Sequence, residues 1–112
     1  MAFTIEYSPG SPPAGWPVFY EEARRLLGDR ISTDISERLS CGKDFWPITG
    51  AWFMEGRMPS LPDAVVWPET TDEVSAILKL ASQYRIPVVP YGEGSGVLGG
   101  ALAIRGGIVL DM

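Results

Sequence analysis

The most regular hydrophobic pattern of the chain lies in its second half. Residues 64–68 form a short β-branched run that ends in proline, which predicts a strand. Thr70 and Glu73 follow with the spacing of a capping box, in which each side chain binds a main-chain N–H of the first helical turn. The next apolar positions share one helical face and predict a helix over 71–84: Val74, Ile77, Leu78 and Ala81.

The predicted helix is followed by a second short strand. Pro87 cannot lie inside a helix, and Val88-Val89 form the next apolar run. Strand, helix and strand make a βαβ unit, which predicts two parallel strands with a right-handed crossover. Residues 108–110 predict a further strand. The expected fold class is therefore α+β, a small mixed sheet with a βαβ unit and flanking helices.

The first half of the chain shows weaker patterns. Residues 1–17 are rich in proline and turn residues and predict an irregular arm. A broad apolar stripe over 18–27, with Gly28 as its stop, predicts one short helix. A second short helix is expected over 34–40, with Thr33 as its N-cap.

Residues 41–62 show little periodicity but many aromatic side chains, namely Phe45, Trp46, Trp52 and Phe53. Aromatic residues in an irregular segment usually pack it onto a core. The alternative is that part of the segment covers a cofactor or contacts the remainder of a larger protein.

The patterns together predict two parts of the chain: an N-terminal arm with short helices over 1–61, and a first, incomplete subdomain over 62–112.

A glycine-rich loop follows the second predicted strand, with five glycines between Gly92 and Gly100. Glycine lets a ligand approach the main chain, and successive N–H groups in such a loop form a concavity for anion oxygens. Ser95 adds a hydroxyl donor. We therefore expect a diphosphate to bind here, although glycine-rich loops often only connect strands.

Two other phosphate-binding motifs fit this loop less well. The spacing of Gly94, Gly96 and Gly99 matches a dinucleotide fingerprint, which requires a helix that begins inside the loop. Residues 100–107 are too short and too rich in glycine for that helix, so a nicotinamide-binding Rossmann unit is disfavoured. No lysine follows the glycines, which excludes a P-loop.

Composition narrows the possible partners and the chemistry. The net charge of −5 disfavours binding to nucleic acid or to an anionic membrane. The chain has no histidine, so it offers no histidine ligand for a metal and no histidyl link to a flavin. Cys41 is the only cysteine, and the N-terminus has no signal-peptide pattern, so we expect a cytoplasmic location. No apolar stretch is long enough to span a membrane.

Residues 62–112 resemble the N-terminal half of the FAD-binding domain in flavoproteins of the vanillyl-alcohol oxidase and p-cresol methylhydroxylase type. The resemblance is carried by three segments in order, residues 62–74, 86–96 and 106–112. Within that family the pattern is most similar to the glycolate oxidase, D-lactate dehydrogenase and alkyl-dihydroxyacetonephosphate synthase branch. Residues 40–47 fit the segment that precedes the domain in that branch more loosely.

The resemblance implies that the glycine loop wraps the diphosphate of FAD. The residues it assigns to the cofactor are Pro90, Tyr91, Gly92, Glu93, Gly94, Ser95, Gly96, Val97, Gly99 and Gly100. Pro68 is expected near the cofactor. Glu93 departs from the family pattern, because relatives often have glycine or another small residue there. A carboxylate repels a diphosphate, so we expect its side chain to point to solvent.

The implied function is the cofactor-loop portion of an FAD-dependent oxidoreductase that oxidises a 2-hydroxy acid or a related alcohol. The chain ends directly after an apolar strand, so we expect it to be the beginning of a longer protein, to lack catalytic residues and to bind FAD poorly alone. The alternative is a stand-alone α/β protein-interaction module without a cofactor, which could form a homo-oligomer through an exposed strand edge.

Overall fold

The computed structural model describes residues 12–58 and 61–112, so most of the predicted N-terminal arm lies outside the described residues. The helices are α1 (Trp16–Leu27), α2 (Ile35–Ser40), α3 (Pro47–Met54) and α4 (Thr71–Tyr84). The strands are β1 (Ile31–Ser32), β2 (Ala64–Val66), β3 (Val88–Tyr91) and β4 (Ile108–Asp111). A 3-10 turn, Gly28–Arg30, joins α1 to β1.

The four strands form one mixed sheet in the order β1-β2-β4-β3. β4 lies between β2 and β3 and is parallel to both, with Val65 and Val89 opposite Val109. The two strands of the predicted βαβ unit are therefore parallel but are not neighbours, because β4 inserts between them. β1 pairs antiparallel with β2. The sequence analysis missed this strand, because two residues show no alternation.

Successive side chains along the strands point to opposite faces of the sheet, and both faces are packed. On one face α1 and α4 cover β2 and β4, and the buried cluster joins residues from both halves of the chain: Phe19, Ala23, Leu27, Ile31, Ala64, Val66, Ile77, Ala81, Ile86, Ile108 and Leu110. On the other face Cys41 and Ala103 are buried against Val65 and Val109, with Val89 and Tyr91 beside them. The glycine loop lies at the edge of this second face.

Helix ends follow the sequence signals in one case and not in another. The predicted helix 71–84 is confirmed, and the Thr70 side chain accepts the Glu73 N–H at 3.1 Å. For α2 the N-cap is Asp34, whose Oδ1 accepts the Ser36 N–H, so the prediction of Thr33 was wrong. Asp34 is one residue nearer the first helical turn, where its carboxylate reaches the N–H groups directly.

Helix α3 was not predicted. It begins at Pro47, a residue favoured in the first turn because its missing N–H needs no partner there. Its apolar residues surround the whole helix instead of one face, since Trp52 is half-buried whereas Ile48 and Met54 are exposed. The 3.6-residue period that marks an amphipathic helix is therefore absent from this segment.

Candidate functional site

The glycine loop begins where β3 ends, at the carboxyl edge of the parallel strands. In open sheets of parallel strands, ligands bind outside this edge. The end of β2 lies at the same edge and is tied to the end of β4, since Trp67 Nε1 donates to Asp111 Oδ2 at 2.9 Å. Pro68, expected near the cofactor, follows directly and is half-buried.

The loop forms neither a strand nor a helix between Gly92 and Ile104. Within residues 12–58 and 61–112, no acceptor receives a hydrogen bond from any main-chain N–H between Gly92 and Gly100. The helix required by a Rossmann unit is absent from this stretch, as the sequence predicted. A run of unpaired donors in irregular backbone has the chemistry of an anion cradle.

Tyr91 supports the first part of the loop from beneath. Its hydroxyl donates to the Lys43 carbonyl oxygen at 2.8 Å. Gly94 is buried against the same phenol at φ +67°, and a Cβ there would overlap the Tyr91 hydroxyl. Burial, with smaller contributions from Cys41, Asp44 and Asp111, raises the pKa of Tyr91, which keeps its hydroxyl protonated as a donor.

The remaining loop residues predicted to contact the cofactor are mostly open to solvent. Gly92, Ser95, Gly96 and Gly100 are exposed, and Val97 is 59% exposed. Pro90 is an exposed residue of the edge strand β3, and Gly99 is half-buried against the Trp46 ring. Glu93 is exposed, as expected, although it also borders the cleft described next.

A cleft of about 460 Å³ is lined on one side by the loop and on the other by residues 40–50. Its walls combine aromatic rings with charged and glycine positions, namely Ser40, Lys43, Asp44, Phe45, Trp46, Pro47, Gly50, Tyr91, Glu93 and Gly94. The sequence predicts that residues 41–62 either pack onto the core or cover a cofactor. The structure shows that residues 43–46 pack against the glycine loop itself.

Three contacts join residues 43–46 to the loop. Besides the Tyr91 bond to Lys43, the Phe45 N–H donates to the Gly96 carbonyl at 2.9 Å. The Trp46 ring lies against Gly99 and meets Trp52 edge-on at 5.9 Å. Sequence patterns did not reveal these contacts, because they depend on two irregular segments that meet only in three dimensions.

Asp44 is the most unusual polar side chain at this site, being only 6% exposed. Its Oδ1 accepts the Trp46 N–H at 2.9 Å, and its main-chain oxygen accepts the Thr49 hydroxyl. Its Oδ2 is buried and has no partner among the described residues. A Cβ placed on Gly96 would lie 3.8 Å from that oxygen, so Oδ2 lies beneath the loop.

Comparison with known proteins identifies the second half of the chain. Residues 62–112 match the family model described as an FAD binding domain. The chain is 36% identical over 91 residues to the mitochondrial D-lactate dehydrogenase [cytochrome] of Arabidopsis thaliana, a match that covers 81% of this chain and 15% of that protein. It is 49% identical over 51 residues to the glycolate oxidase subunit GlcD of Bacillus subtilis, covering 46% of this chain and 11% of that subunit.

Solved structures show the same fold. An alkyldihydroxyacetonephosphate synthase superposes with a TM-score of 0.85 at 24% identity, over 100% of this chain and 23% of that one. The p-cresol methylhydroxylase with substrate bound superposes with a TM-score of 0.70 at 23% identity, over 93% of this chain and 20% of the other.

These matches confirm the resemblance found in the sequence, and the loop with its unpaired N–H groups suits the diphosphate of FAD. The chain spans between a tenth and a quarter of the length of the relatives it matches. None of the helices in the described residues combines the length and the apolarity needed to cross a membrane. Residues 62–112 therefore belong to the FAD-binding domain of the FAD-dependent oxidoreductase family, with a fold of the p-cresol methylhydroxylase type and FAD as the cofactor.

Proposed function

We propose that the glycine loop binds the diphosphate of FAD, within an enzyme that oxidises a 2-hydroxy acid or a related alcohol by hydride transfer to the flavin. The observation that carries the loop assignment is the run of unpaired N–H groups from Gly92 to Gly100 at the carboxyl edge of the sheet. The substrate class rests on the likeness to a D-lactate dehydrogenase and a glycolate oxidase subunit. The flavin supplies the redox chemistry, and this chain holds it by its diphosphate.

In this proposal the chain supplies binding groups and no catalytic residue. Loop N–H groups and the Ser95 hydroxyl donate to phosphate oxygens. The exposed Glu93 keeps its carboxylate in solvent, where screening weakens its repulsion of the diphosphate. Residues 62–112 act as the first subdomain of the cofactor site, and residues 1–61 as an N-terminal arm with short helices.

Titration of the purified chain with FAD and with riboflavin tests the loop assignment, because riboflavin lacks the diphosphate. We expect weak binding of FAD, detected by quenching of flavin fluorescence, and no binding of riboflavin. Equal affinities for the two flavins would show that the loop does not recognise the diphosphate.

A charged substitution tests the same loop. A Cβ on Gly92 meets nothing within 4 Å, so Gly92→Glu adds a negative charge beside the loop without steric strain. We expect FAD affinity to fall at least about tenfold, the equivalent of ~1.4 kcal/mol. The matched control is Gln83→Glu, an equal charge change at an exposed position near the end of α4, where affinity should not change.

A second candidate is the protein-interaction module. β3 is an edge strand, and Leu98 and Ile104 beside the loop are 84% and 72% exposed, which favours contact with another chain. Pro90 removes one edge donor, so pairing through β3 would be incomplete. Sedimentation velocity tests this candidate, since a tight homodimer that covers the β3 edge supports it, whereas a monomer without flavin favours neither candidate.

A further inference from the structure

We propose that residues 43–46 position the glycine loop for the diphosphate, with Tyr91 and Asp44 as positioning residues. This inference rests on the proposed function of the loop. Residues 43–46 lie outside the matched domain, which begins at residue 62.

The contacts are spaced along the whole loop. The Lys43 carbonyl holds Tyr91, the Phe45 N–H holds the Gly96 carbonyl, and the Trp46 ring lies against Gly99. A glycine-rich loop loses much conformational entropy when it becomes ordered. Three contacts that form before the ligand binds reduce the conformational entropy that the loop loses on binding.

These contacts use none of the main-chain N–H groups between Gly92 and Gly100. Gly96 is bonded through its carbonyl, and Tyr91 through its side chain, so the N–H groups of the loop stay unpaired. A support that used the loop N–H groups would compete with the ligand. This division of donors and acceptors favours a positioning role over simple packing.

Asp44 adds an acceptor beneath the loop. Its Oδ2 is buried without a partner among the described residues, an arrangement that costs stability unless a donor satisfies it. The loop backbone at Gly96 lies beside this oxygen. The Oδ1 of Asp44 accepts the Trp46 N–H at 2.9 Å, so Asp44 holds in place the residue whose ring lies against Gly99.

Matched tyrosine variants test the support without requiring FAD. Tyr91→Phe removes only the hydroxyl that holds Lys43, and Tyr84→Phe removes a comparable hydroxyl bonded to Glu22 at 3.1 Å. We expect the Phe45 N–H to exchange with solvent about tenfold faster in Tyr91→Phe, the loss expected for one hydrogen bond, and at the wild-type rate in Tyr84→Phe. Unchanged exchange in Tyr91→Phe, or equal effects of both variants, would overturn the proposal.

Asp44→Asn and Asp44→Ala form a matched pair that tests the role of Asp44. Asparagine retains an oxygen for the Trp46 N–H, whereas alanine removes it. We expect the Trp46 N–H to exchange with solvent at the wild-type rate in Asp44→Asn and about tenfold faster in Asp44→Ala, the loss expected for one hydrogen bond. Equal exchange in the two variants would show that Asp44 does not hold Trp46 in place. If the wild-type chain binds no FAD, the diphosphate proposal fails, and the exchange at Phe45 still decides whether residues 43–46 support the loop.

Discussion

At the scale of single residues, Gly107 shows why a residue without a side chain is needed at the end of the loop that leads into β4. It has φ +80°, and a Cβ would overlap the Pro87 carbonyl oxygen, which accepts the Ile108 N–H at 2.9 Å. Its own N–H donates to Asp63 Oδ2 at 2.7 Å. Gly107 thus joins the starts of β2, β3 and β4, and any side chain there would push these strands apart.

We predict that Gly107→Ala lowers the free energy of unfolding by at least about 2 kcal/mol, because the left-handed backbone and the overlap with Pro87 both oppose a Cβ. Chemical denaturation followed by circular dichroism measures this change. Gly100→Ala is the control, since a Cβ there meets nothing within 4 Å, and it should change the free energy by no more than about 0.5 kcal/mol. Equal effects of the two variants would contradict the steric account.

At the scale of elements, one carboxylate connects the start of α4 to the turn before β1. Glu73 makes a paired contact with the Arg30 guanidinium, one bond of which is 2.6 Å, and it also accepts the Glu69 N–H at 2.8 Å. Glu73 thus departs from a simple capping box, in which its side chain would accept the N–H of the N-cap Thr70. It holds the end of β2, the start of α4 and the turn before β1 together.

The bond to Arg30, followed by the bond from the Glu69 N–H, lowers the pKa of Glu73 to about 2. In the unfolded chain the Glu73 carboxylate binds a proton near its ordinary pKa of about 4.5, whereas in the folded chain it does so only near a pKa of about 2. The stability from this group is therefore fully present above pH 4.5 and is lost as the pH falls toward 2. We predict that Glu73→Gln flattens the dependence of Tm on pH across this window.

Thermal unfolding between about pH 2 and pH 6 measures that dependence for wild type and variant. Glu21→Gln is the control for the loss of one carboxylate, because Glu21 pairs with Arg25 on the exposed face of α1. A Glu73→Gln variant with the wild-type slope would show that the Arg30 contact does not contribute to stability in acid.

At the scale of the whole molecule, the buried core joins the two halves of the chain. Phe19 and Ala23 of α1 pack with Ile77 and Ala81 of α4 over the strands, and β1 extends the sheet at β2. The predicted division into residues 1–61 and 62–112 can therefore be tested by asking whether the two parts unfold together.

We predict that Phe19→Leu destabilises β4 as much as α1, by about 1–2 kcal/mol, because the lost volume lies in the shared core. Hydrogen exchange of amides in α1 and β4 measures both parts in one experiment. Val18→Ala is the control, since Val18 is 48% exposed, and it should change neither. A Phe19→Leu effect confined to residues before 62 would show that the two halves fold independently.

Local signals in the sequence determined helix α4 with its Thr70 cap, the strands β2 and β4, and a glycine loop without a helix, because capping, periodicity and proline act over a few neighbouring residues. They also carried the family resemblance. Tertiary structure alone decided that β4 separates β2 from β3, that two residues form β1, and that residues 43–46 meet the loop. Strand order and contacts between irregular segments depend on burial across the whole chain, and the burial of Asp44 beneath Gly96 leaves no periodic trace in the sequence.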